Sequence, residues 1–119
     1  MIGCTERFRV EDGHVAEHLA ERGLEVLSTP CLILFIERTA RRCMERVIPE
    51  GYTSVGVRID VRHRKPVPLG GVVEVHVKAH NDGDYYFFNA RVTYNGELVA
   101  DGIHVRKAVR VEDLRPRLS

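Results

Sequence analysis

The 119-residue sequence predicts an α+β domain, one long helix packed on a five-stranded antiparallel sheet. Three observations carry that expectation. Apolar residues recur at helical spacing from Thr29 to Val47. From Thr53 the period changes to two. Asn81-Asp82-Gly83-Asp84 and Asn95-Gly96 then break the second half at hairpin turns.

Phe8 to Val10 reads as a short first strand, stopped by Glu11-Asp12-Gly13, and His14 to Arg22 as a brief helix ended by Gly23. Ser28 or Thr29 can cap the main helix. Pro30 suits its first position, where a missing N–H costs nothing, and the helix should stop before Pro49-Glu50-Gly51. In the next strand Thr53, Val55, Val57, Ile59 and Val61 point to one face, and Ser54, Gly56, Arg58, Asp60 and Arg62 to the other. KPVPLGG breaks that strand. Gly71–His80, Tyr85–Tyr94 and Glu97–Val111 follow, so four strands form a meander beside the N-terminal one, and the tail EDLRPRLS is expected to be poorly ordered. The length allows one core, hence a single domain over residues 1–119.

The hydrophobic fraction is 44% and the charged fraction 29%, and 18 Lys+Arg against 17 Asp+Glu leave a formal charge of +1. No overall field favours nucleic acid or an anionic membrane. The longest apolar run, Cys31 to Ile36, is far below the roughly 20 residues that span a bilayer. Charges precede any apolar stretch in MIGCTERFRVEDG, so no signal-peptide pattern is read there. Three cysteines, Cys4, Cys31 and Cys43, lack close C-x-x-C spacing. The expectation is no disulfide framework and no zinc site, with Cys31 and Cys43 as small buried hydrophobes in a reducing cytoplasm.

At about 100° per residue, Leu32, Ile33, Ile36, Ala40, Cys43, Met44 and Val47 share one helix stripe. Thr29 lies at its centre and Glu37 on its edge, one turn before Arg41. Glu37 could be a boundary charge paired with Arg41, and Thr29 a cap. His63 continues the inward parity of the preceding valines at the strand's end. A lone inward histidine is most often a core residue. Together, however, Thr29, Glu37 and His63 could run acyl transfer: a partly desolvated carboxylate as base or nucleophile, with a hydroxyl and an imidazole to orient the attacking group. His14 and His18 stand i,i+4 with no third metal ligand. His76 and His80 look outward, and the direction of His104 depends on register.

VLSTPCLILFIERTA, GYTSVGVRIDVRHRKPVPLG and DGIHVRKAV together resemble the fluoroacetyl-CoA thioesterase-like family of hotdog-fold enzymes. The joint pattern is T-x7-E, then G-x6-H-x2-P-x-P-x-G, then G-x-H-x-R, over about Val26 to Val109. The resemblance implies a hotdog fold and hydrolysis of a small or medium acyl-CoA thioester to the free acid and CoA. It implies Thr29, Glu37 and His63 as catalytic, and Gly56 and Arg106 as substrate-binding. It implies no cofactor beyond the substrate's coenzyme A, and a homodimer or tetramer with acyl-CoA near the interface. Glu11 to Glu25 is shorter than in the fluoroacetyl-CoA enzyme and lacks a counterpart of the segment over its acyl pocket. A broader acyl range is therefore expected. Two other readings of the architecture are an enoyl- or hydroxyacyl-thioester hydratase or dehydratase and a non-catalytic acyl-CoA binding module.

Overall fold

The computed structural model describes residues 1–118. Thr29–Met44 forms the main helix, α2, after a short α1 at Glu17–Ala20. Ser28 is the cap, its Oγ accepting from the Cys31 N–H at 3.2 Å. That bond leaves the Thr29 hydroxyl available elsewhere. The helix ends three residues before Val47, which is exposed. Leu32, Phe35, Ile36, Ala40, Cys43 and Met44 are buried, and the Phe35 ring stacks on Phe8 at 4.5 Å between centroids.

The strands are β1 Ile2–Arg9, β2 Tyr52–His63, β3 Val72–Asp82, β4 Tyr85–Tyr94 and β5 Glu97–Arg110, all antiparallel, in the order β1-β3-β4-β5-β2. The expected four-strand meander is therefore corrected. Only β3-β4-β5 run as one, and β2 crosses over to pair with β5 at the opposite edge from β1. The first strand is also longer than Phe8–Val10, with Ile2 to Arg9 paired along β3. The tail folds into short helical turns, α3 at Val111–Leu114 and a 3-10 turn at Arg115–Leu118, instead of lacking order. One face of the sheet, carrying Val73, Val75, Val77, Phe88, Ala90 and Val92, closes over α2 to make the core.

Two further corrections bear on the site. Cys4 and Cys43 form a disulfide between β1 and the last turn of α2, their Cα atoms 5.8 Å apart. Both face the layer between helix and sheet. The cross-link joins residues 39 apart in sequence, which no local spacing rule reveals. The uniform parity expected of β2 is also broken. A register shift between Gly56 and Arg58 inserts Val57 as a bulge. Before it, Ser54 and Gly56 point to the helix side; after it, Ile59, Val61 and His63 do. Val57 is 54% exposed instead of buried. The bulge thus puts Gly56 and His63 on one face although their numbers differ in parity.

Among the described residues, no helix is long and apolar enough to cross a membrane.

Candidate active site

Two polar clusters lie along α2. At its N-terminus, Thr29 Oγ1 sits 2.9 Å from His63 Nδ1. Burial lowers the His63 pKa from its ordinary 6.5, opposed by a hydrogen bond to the Lys65 backbone, so the site disfavours the charged ring. Its Nε2 is buried without a hydrogen-bond partner among the described residues. A buried polar atom left unpaired is costly, so Nε2 has an unmet hydrogen-bonding capacity. The pair lines a cavity of about 760 Å³, walled by Val15, Leu19, Val26 and Leu27. Glu17, His18, Arg64 and Lys65 also line it, so apolar and polar surface meet in one cleft, as a ligand with an apolar and a polar portion requires.

The second cluster begins two turns along. Glu37 Oε2 stands 3.7 Å from Arg106 Nη1, and the carboxylate is 40% exposed while the arginine is nearly buried. The expected pairing of Glu37 with Arg41 does not form, because Arg41 bonds Glu45 at 2.9 Å. Arg106 Nε donates to Ser54 Oγ at 2.9 Å and Nη2 to the Ser54 carbonyl at 3.0 Å. Arg106 Nη1 lies 3.2 Å from His104 Nε2, whose ring bonds the Arg58 carbonyl through Nδ1 at 2.8 Å. Gly56 closes this cluster. A Cβ there would meet Glu37 Oε2 at 3.0 Å, His104 Cε1 at 3.5 Å and Arg106 Nη1 at 3.6 Å. Burial lowers the pKa of both His104 and Arg106, with Glu37 acting in the opposite sense on each.

Of the five residues singled out from the sequence, the fold brings Thr29 to His63, and Glu37 to Gly56 and Arg106. The two groups remain separate within one chain. Seven residues intervene on α2, about 12 Å of helix rise between Thr29 and Glu37. Sequence reasoning missed Ser54, assigned outward by parity. It left His104 undecided although G-x-H-x-R contained it. His14 serves structure, accepting from the Glu11 N–H and meeting the edge of Phe35. Among the described residues, no group of three or more His, Cys, Asp or Glu could hold a metal ion.

A family model described as fluoroacetyl-CoA-specific thioesterase matches residues 10–112. The chain belongs to this family. Its members are thioester hydrolases, and the match spans every residue of both clusters. Among solved structures, the fluoroacetyl-CoA thioesterase FlK aligns with a TM-score of 0.88 at 21% identity, over 98% of this chain and 91% of that one. A hot-dog-like protein from Thermanaerovibrio acidaminovorans aligns at 0.85 and 25% identity, over 98% and 89%. A thioesterase-superfamily member from Thermus thermophilus aligns at 0.83 and 19%, with the same coverage. These neighbours establish the hotdog fold. No curated protein matches the sequence significantly.

Proposed function

We propose that this thioesterase-family chain hydrolyses a small or medium acyl-CoA thioester to the free acid and CoA, as a homodimer whose site is shared between copies. The observation that carries the reading is the separation of the two clusters beside an unpaired edge. β2 ends the sheet on that side, with Val57 and Ile59 exposed on it and Leu34 exposed on α2. An exposed apolar edge of this kind calls for a partner strand. Two copies of β2 pairing antiparallel about a two-fold at Asp60, with the bulged Val57 skipped, set Gly56 opposite position 63 of the second copy. Glu37, beside Gly56, then faces the second copy's Thr29–His63 pair and its unbonded Nε2.

In that arrangement the Glu37 carboxylate attacks the thioester carbonyl or draws the proton from an attacking water. The acyl–sulfur bond breaks as the acyl–oxygen bond forms; where Glu37 is the nucleophile, water then cleaves the acyl–Glu37 anhydride and restores the carboxylate. The water's hydroxyl ends in the free acid, and its proton passes to the departing CoA sulfur. Thr29 and His63 hold the attacking oxygen and relay that proton. The acyl group occupies the cavity behind them. A variant of FlK has been crystallised with fluoroacetate and CoA. Here the short Glu11–Glu25 segment argues for a range of acyl groups over selection for fluorine.

Thiol release from acyl-CoA esters of graded chain length, with Glu37→Ala in parallel, tests the reading. Hydrolysis that collapses in the folded variant supports it. Binding of CoA esters without hydrolysis would replace it with a binding module. Loss of enoyl absorbance without thiol release would replace it with a hydratase.

A further inference from the structure

We propose that His104 is a positioning residue for hydrolysis, fixing the Arg106 guanidinium that flanks Glu37. The inference rests on the reading of Glu37 given above.

An arginine guanidinium carries five N–H donors and no acceptor, so a buried one needs acceptors in its plane. Arg106 is 5% exposed and finds three: Ser54 Oγ, the Ser54 carbonyl and His104 Nε2. The third exists only in one tautomer. The Arg58 carbonyl, at the bulge, can only accept, so His104 Nδ1 must carry the ring's proton. Nε2 is then a lone pair aimed at Arg106 Nη1. His104 is 1% exposed and packs beside Phe88, leaving its ring no other orientation for these bonds.

The chain of bonds therefore runs from the Arg58 carbonyl through His104 to Arg106, and ends at Glu37 Oε2. A fully fixed guanidinium cannot swing out to seize the carboxylate as a bidentate pair. Its Nη1 stays 3.7 Å from Glu37. That distance orients the negative charge without immobilising both oxygens, leaving one to act on substrate. Protonated His104 would oppose donor to donor across this contact, so burial that disfavours the charged ring also preserves the geometry.

His104→Leu keeps the apolar volume and deletes both bonds; His104→Gln keeps an acceptor. The leucine variant is expected to lose about ten- to a hundred-fold in kcat, the cost of a misplaced catalytic group, with KM little changed. The glutamine variant should recover part of that loss. Unchanged kcat in folded His104→Leu would overturn the proposal. Should His104→Leu fail to fold, Ser54→Ala removes another acceptor of the same guanidinium and must lower kcat in the same direction. Nitrogen-15 NMR of the wild-type imidazole is expected to show the Nδ1–H tautomer, and the Nε2–H tautomer would overturn the arrangement. Failure of the hydrolytic reading looks different. There the wild type releases no thiol while the tautomer is as expected.

Discussion

Gly56→Ala should separate activity from stability. The backbone at Gly56 is not in the left-handed region, so alanine can adopt it without strain. In such a position the exchange is expected to stabilise by about 0.4–1 kcal/mol, because the unfolded chain loses freedom. The added Cβ, however, lies 3.0 Å from Glu37 Oε2. The carboxylate must move by a few tenths of an ångström away from the new methyl, which changes its 3.7 Å spacing from Arg106 Nη1. Displacing a reacting group from its alignment costs up to about a hundred-fold in rate, so a fall in kcat of about ten-fold or more is expected. Thiol-release kinetics and urea unfolding on the same preparation read both quantities. Full activity in Gly56→Ala would refute the placement of Glu37 as the reacting group.

Reducing Cys4–Cys43 frees a loop of 39 residues. The chain-entropy relation then gives a loss of about 4 kcal/mol, visible as a lower urea midpoint under reductant, and an unmoved midpoint would contradict the cross-link. Acid should destabilise the fold early. His63 and His104 both titrate below 6.5 when folded. Above 6.5 neither the folded nor the unfolded chain binds those protons, and their contribution is intact. As pH falls through 6.5 the unfolded chain takes them up first, so the urea midpoint should drop before carboxylates titrate. A flat midpoint from about pH 8 to about pH 5.5 would refute the burial of these rings. Ile59→Lys, placed on the exposed edge of β2, should convert a dimer to monomers by light scattering and abolish hydrolysis with the fold retained.

Helix and sheet were legible because both depend on local spacing. The apolar stripe from Leu32 to Met44 and the alternation in β3 and β4 are each satisfied by the residues that carry them. T-x7-E was equally visible, since a helix fixes where residues eight apart must lie. What was hidden depends on contacts distant in sequence. The bulge at Val57 inverts the facing of Ser54 and Gly56, and only the register with β5 reveals it. The same register turns His104 inward against Ile59. The disulfide joins β1 to α2 through the pairing of β1 with β3, a partner about seventy residues away. Arg41 was the local partner for Glu37 by spacing. Arg106, brought in by β5, lies closer to the carboxylate, and Arg41 takes Glu45.

The shared site is tested most directly by mixing two inactive variants, Glu37→Gln and His63→Ala, after separate unfolding and joint refolding. If Glu37 of one copy works with Thr29 and His63 of the other, a mixed dimer contains one intact site and one doubly defective site. Random reassociation makes half the dimers mixed, so acyl-CoA hydrolysis should return to about a quarter of the wild-type rate. Mixed dimers that form but stay inactive would contradict the account.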